Sequence, residues 1–280
     1  GCRWFAPGVL GEVIPRLPEI VLANLDHNEK SSFKYRGFMC ISENTCQSVA
    51  WIDWMAKNRL NYVMTTQASF EIFNSALLGE AKKRGFYIGV RISADEENNL
   101  EKIINFINNN PNIDMIEIVA SDVKLALLLK EIYREKIISI LIRGSSKIPT
   151  DQGFNEHVSF SYEADSRCYR HLLDDQDCKV NNDYRTFIDK VSNDHRFVFI
   201  HEYYMGSYEQ NSFPFPVLNS IASDIRYFLR KGIEGIISQS EIGNWGTYGL
   251  NYYMFSKMVW NPEYHLVTIV DDYCEKYYGT

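Results

Sequence analysis

Phe197-Val198-Phe199-Ile200-His201-Glu202-Tyr203-Tyr204 runs from apolar residues straight into a histidine, a glutamate and two tyrosines. The same order recurs in Val158-Ser159-Phe160-Ser161-Tyr162-Glu163-Ala164-Asp165 and in Gly235-Ile236-Ile237-Ser238-Gln239-Ser240-Glu241. Each run has the length of a strand, ends on an acid, and precedes a loop containing Gly, Asn, Ser or Arg. Parallel strands are covered on both faces and therefore read as nearly continuous apolar stretches. The polar ends mark where three such strands leave the core.

Five more runs of this kind lie upstream: Phe33–Cys40, Tyr62–Thr66, Phe86–Ile92, Met115–Ala120 and Ile137–Ile142. Between the runs the period changes to that of amphipathic helices, at Thr45–Arg59, Phe70–Arg84, Asp95–Asn109, Asp122–Glu135, Asn181–Asn193, Pro216–Lys231 and Gly249–Trp260. Gly85 and Gly232 follow Lys/Arg-rich helix ends and are predicted C-terminal caps. Gly144 to Glu156 is polar, with Pro149, Asp151 and Gly153 and no helical period, so the helix after the fifth strand is missing or very short. The alternation predicts an α/β protein, a (β/α)8 TIM barrel. A doubly wound sheet would carry a glycine-rich phosphate turn after its first strand. Met39-Cys40-Ile41-Ser42-Glu43 stands there instead, and neither GxGxxG nor GxxxxGK[ST] occurs anywhere.

Composition removes several function classes. The net charge is −7 and no Lys/Arg block occurs, which excludes nucleic-acid binding through counterion release. No apolar run approaches the roughly 20 residues that span a bilayer. The six cysteines form no CxxC, and HExxH and GxSxG are absent, so no metal, cofactor or serine nucleophile is expected. Cys168 and Cys178 flank a short polar loop and are predicted to lie close together, either as a disulfide or as thiols. Aromatic residues make up 14% of the chain, which fits either a tyrosine-rich core or a cleft whose rings stack on sugars.

Carboxylates and aromatics at the C-terminal ends of barrel strands point to glycosidic cleavage, which needs one carboxyl group as proton donor and a second as nucleophile or water activator. Glu202 and Glu241 are the expected catalytic pair. Glu163, Arg36, Tyr162, Tyr204, Trp245 and His201 are the expected substrate-binding residues around one mouth. Each has a plainer reading: Glu202 as half of a buried salt bridge, Glu241 as an ordinary loop residue, and Asp165 as a partner for Arg167. Glu117 alternates with isoleucines and is expected to face the barrel interior. Arg91 resembles Arg36 as a cation on a buried strand, and Asp122 reads as a helix N-cap.

Taken in order, several phrases of the second half resemble the DUF4838 family, a group of predicted bacterial glycoside hydrolases of barrel type. They are Phe160-Ser161-Tyr162, Arg167-Cys168-Tyr169-Arg170-His171, Cys178 with Asn181, Glu202-Tyr203-Tyr204, Ser223-Asp224-Ile225-Arg226, Gly232-Ile233-Glu234-Gly235, and Gly249-Leu250-Asn251-Tyr252-Tyr253 through Trp260-Asn261-Pro262. Tyr35-Arg36-Gly37-Phe38-Met39 is similar to the barrel entry of β-hexosaminidases and α-glucuronidases. Arg3-Trp4-Phe5-Ala6-Pro7-Gly8 looks like the end of the small α/β domain that precedes such barrels. The resemblance implies that residues 1–30 are the remnant of that domain and its linker, and that residues 31–280 are the barrel. It also implies a carbohydrate substrate, Arg36 as a substrate-binding arginine, and a secreted or periplasmic location. The chain departs from the hexosaminidases after the fourth strand, where Val119-Ala120-Ser121-Asp122 replaces their Asp-Glu pair. A non-catalytic carbohydrate-binding protein on a degenerate barrel is therefore the alternative function.

Overall fold

All eight apolar runs are strands in the computed structural model, which describes residues 29–40, 49–70, 75–93, 100–119, 123–143, 158–164, 167–194, 198–205, 216–240 and 245–279. They are β1 Tyr35–Cys40, β2 Tyr62–Thr66, β3 Tyr87–Ser93, β4 Met115–Val119, β5 Ile137–Arg143, β6 Val158–Glu163, β7 Val198–Glu202 and β8 Gly235–Gln239. Each pairs in parallel with the next, and β8 pairs with β1 through Tyr35↔Gly235 and Gly37↔Ile237, closing the barrel. The helices are α1 Val49–Lys57, the single turn α2 Gln67–Phe70, α3 Ser75–Lys83, α4 Leu100–Asn109, α5 Val123–Ile132, α6 Lys179–Asp194, α7 Leu218–Arg230, α8 Trp245–Trp260 and α9 Leu266–Tyr278. The last of these falls beyond the sequence expectations. Residues 1–28 and 144–157 lie outside the described residues, so the expected end of a preceding domain and the polar fifth interval do too.

Strand alternation sorts the side chains into two cores. Ile88, Val90, Ile92, Ile116, Ile118, Ile138, Ile140 and Ile142 face outward and pack with helix residues such as Ile103, Ile107 and Leu129. Each such burial contributes about 1.5–3 kcal/mol. Tyr35, Met39, Tyr62, Met64, Met115, Phe199 and Ile237 fill the lower barrel interior. Two glycines make this filling fit: a Cβ on Gly37 would lie 1.7 Å from the carbonyl oxygen of Tyr62, and one on Gly89 would lie 2.0 Å from the Tyr62 hydroxyl. That hydroxyl donates to Met115 Sδ at 2.9 Å.

Gly85 and Gly232 terminate α3 and α7 with φ of 75° and 71°, as the sequence predicts. The amides that follow, Phe86 N to Ala81 O and Ile233 N to Phe228 O, close the caps. Both turns feed a strand directly, so the helix ends set where β3 and β8 enter the barrel.

Candidate active site

Above the apolar filling the interior turns ionic. On β3, Gly89, Arg91 and Ser93 alternate with outward isoleucine and valine; on β4, Glu117 alternates with Ile116 and Ile118; on β6, Ser159, Ser161 and Glu163 alternate with Phe160 and Tyr162. Arg91 Nε donates to Glu117 Oε2, and Arg91 Nη1 reaches across to Glu163 Oε1 at 2.8 Å. Arg143, at the end of β5, donates through Nε to Glu163 Oε2. His201 of β7 places Nδ1 3.1 Å from Arg91 Nη2 and Nε2 2.7 Å from Glu117 Oε1. Contacts spanning β3, β4, β6 and β7 are possible only inside the barrel.

A guanidinium only donates, so His201 Nδ1 is the acceptor in its contact with Arg91, while Nε2 faces Glu117 Oε1. Burial raises the Glu163 carboxyl, but Arg91, then His201 and Arg143, outweigh it and hold it below the usual carboxylate range. Glu117 is fully buried, and the attraction of Arg91 again overcomes the desolvation. The Tyr203 hydroxyl bonds to Glu163 and is driven upward by burial and by that negative charge. The chain of charges opens at one end, where half of the Arg143 side chain is exposed while Glu163 is 5% exposed. This is the C-terminal mouth, where barrels of this type keep their sites.

Glu202 lies elsewhere. Phe199 and His201 face inward, so Ile200 and Glu202 point into the layer between barrel and helices. There Arg167 Nη1 contacts Glu202 Oε1 at 2.9 Å and Asp224 Oδ2 at 2.8 Å, with all three side chains 0% exposed. Tyr169 and Tyr184 donate hydroxyls to Glu202, and Tyr204 donates to Asp224. The guanidinium lies 4.4 Å from the Tyr169 ring centroid, a cation–π contact. Burial pushes both carboxyls upward, and Arg167, which pulls each down, does not offset it, because one cation cannot compensate two buried anions.

The structure therefore brings Glu163 and His201 to one interior cluster with Glu117, Arg91, Arg143 and Tyr203, and corrects three expectations. Glu202 is sealed in a salt bridge behind the wall of the mouth. Arg36 lies at the opposite, N-terminal end: it donates to the carbonyls of Phe33 and Arg59, stacks 5.3 Å from the Trp260 ring, and is lowered to about 10 by burial. Tyr162 and Tyr204 also face the helices, Tyr162 stacking 4.0 Å from Phe187 and Tyr204 packing on Phe255. Glu241, Asp165, Asp122 and the Trp245 side chain lie outside the described residues. Arg143 escaped notice because no acid marks the end of the fifth apolar run, and Tyr203 because it directly follows the more conspicuous Glu202.

Fold and interior charges together define a closed (β/α)8 barrel with an ionic mouth. The model of the family described as "Domain of unknown function (DUF4838)" matches residues 149–280, the half that carries the quoted phrases. Among solved structures, a hyperthermostable endocellulase is similar with a TM-score of 0.51 and 9% identity, covering 74% of this chain and 84% of its own. The tryptophan synthase A-subunit of Pyrococcus furiosus also has a TM-score of 0.51, at 10% identity, covering 90% of this chain and 100% of its own. Both are alike in fold alone. A comparison with curated protein sequences finds no match.

Proposed function

We propose that this barrel is a glycoside hydrolase whose carbohydrate substrate enters the C-terminal mouth and meets Glu163. The observation that carries the reading is the position of that carboxylate, at the end of β6 between Arg91 and Arg143, beside His201 and Tyr203. An acid held ionised by two guanidinium groups is a poor proton donor. It suits a nucleophile, a water-activating base or a stabiliser of the positive charge that develops at the sugar. The proton for the leaving oxygen must come from another group, and Glu241, two residues beyond the end of β8, is the proposed donor. Arg143 at the rim supports an acidic or acetamido sugar. The disulfide of Cys40 supports a secreted or periplasmic location.

A second reading, a carbohydrate-binding barrel without turnover, is favoured by one feature. Glu117 and Glu163 are both already neutralised by arginine. A panel of chromogenic glycosides bearing neutral, acetamido and uronic sugars separates the two. The hydrolase reading expects cleavage of at least one by the wild type, and at least ~100-fold less by Glu163→Gln. Sugar binding with no cleavage across the panel would establish the binding reading.

A further inference from the structure

The loop between β6 and α6 gathers three metal-ligating side chains that are not among the contacts of the ionic cluster. Cys168, His171 and Cys178 bring their donor atoms within 4.8 Å of one another, and Cys168 Sγ lies 3.3 Å from His171 Nδ1. The spacing Cys-x2-His-x6-Cys escapes a search for CxxC or HExxH, so the sequence reading expected no metal. Both cysteines are thiols in this structure.

Helix α6 shapes this loop in advance. The buried Asn181 accepts the Cys168 amide at 3.0 Å and donates to the carbonyls of Cys168, His171 and Leu172. Arg185 Nη1 donates to the carbonyls of Leu173 and Asp175 at 2.8 and 2.7 Å. Further turns close through Asp175 N to Leu172 O and Cys178 N to Asp175 O. Two of the loop's own residues, Arg167 and Tyr169, contact Glu202. The ligand positions are thus fixed from one side by a helix and from the other by the buried ion network.

We propose that Cys168, His171 and Cys178 form a zinc-class metal site that closes this loop onto α6. Two thiolates and an imidazole are a borderline-soft donor set suited to Zn2+. Binding releases the two thiol protons, and His171 contributes the lone pair of neutral Nδ1, so the bound set carries no net charge. Among the described residues no fourth His, Cys, Asp or Glu belongs to the group, which leaves one tetrahedral position for water or an added ligand. A disulfide between the two cysteines would use neither the imidazole nor its placement against Cys168.

The test is equilibrium dialysis of the reduced full chain against Zn2+, with metal content measured per chain and Co2+ as the spectroscopic probe. One equivalent should bind. The Co2+ form should show thiolate-to-metal charge transfer and the ligand-field bands of a tetrahedral site. His171 is exposed, so His171→Ala should fold normally and weaken Zn2+ binding by more than ~100-fold, beyond what loss of an outer-shell partner costs. Cys178→Ser should abolish the charge-transfer band, whereas Cys274→Ser should leave it unchanged. Zn2+ should raise the melting temperature of the wild type and not that of His171→Ala. No stoichiometric Zn2+ on the reduced protein would overturn the proposal. Equal binding by His171→Ala, or a Cys168–Cys178 disulfide that re-forms in the presence of Zn2+, would do so as well.

Discussion

The interior of the barrel and the layer behind it both bury arginine against carboxylates, yet they balance charge in opposite ways. Inside, Arg91 and Arg143 meet Glu117 and Glu163, two cations for two anions, and the chain of contacts reaches solvent at Arg143. Behind the wall, Arg167 alone among the described cations meets Glu202 and Asp224, and all three side chains are fully buried. Burial raises the carboxyls of both groups, yet their net shifts are opposite because the number of compensating cations differs. A raised carboxyl is often taken as the mark of a catalytic acid. Here the raised pair is fully buried, and the lowered Glu163 contacts the half-exposed Arg143 at the mouth.

This difference is open to attack in order of size. Arg167→Met removes the one cation that, among the described residues, pairs with the two buried acids, and should cost about 3–5 kcal/mol of unfolding free energy in a denaturant titration. A loss below about 1 kcal/mol would mean that the outer group is not the structural clamp described here. Glu202→Gln should cost only about 1 kcal/mol, because Arg167 keeps Asp224 and the two tyrosine hydroxyls keep an acceptor.

The pH profile of stability should separate the groups by sign. For Glu117 and Glu163, lowered in the fold, the unfolded chain binds protons first as pH falls. Their contribution is present above the ordinary glutamate value of 4.5 and lost as pH drops through the lower folded values. For Glu202 and Asp224, raised in the fold, the native state holds the extra proton. Stability therefore declines as pH rises from the ordinary 3.8–4.5 through the raised values. Glu202→Gln should flatten the second slope and Glu163→Gln the first. Melting temperatures across the pH range read both, and an unchanged profile in either variant would contradict the corresponding assignment.

The barrel was legible because eight apolar runs and two glycine caps each state the same topology. The site was legible only where one strand face is distinctive. Ser159 and Ser161 share a face with Glu163, which is enough to turn Tyr162 toward the helices; attention to Tyr162 as a sugar-stacking ring overrode that signal. On β7 the alternation decides nothing, since Phe199 with His201 and Ile200 with Glu202 each pair one apolar with one polar residue. Only the seating of Phe199 in the lower barrel, against Tyr35 and Tyr62, settles it. Arg36 misled because a cation on a buried strand has two ends of a barrel to serve. Its bonds to the carbonyls of Phe33 and Arg59 show that it serves the lower one. The partners of Glu202, Arg167 and Tyr169 on a loop and Tyr184 on a helix, lie 35, 33 and 18 residues away in sequence, and no local pattern connects them.

The central claim, that the working charge lies inside the barrel and the one behind it is structural, is tested most directly by measuring Glu163→Gln and Glu202→Gln side by side. Both are assayed for turnover of a cleaved glycoside, or for sugar affinity if the barrel only binds. Glu163→Gln should lose turnover by at least ~100-fold, or change affinity measurably, at a temperature where the variant is still folded. Glu202→Gln should keep both activity and affinity. Loss of activity in Glu202→Gln, with full activity retained in Glu163→Gln, would contradict the account.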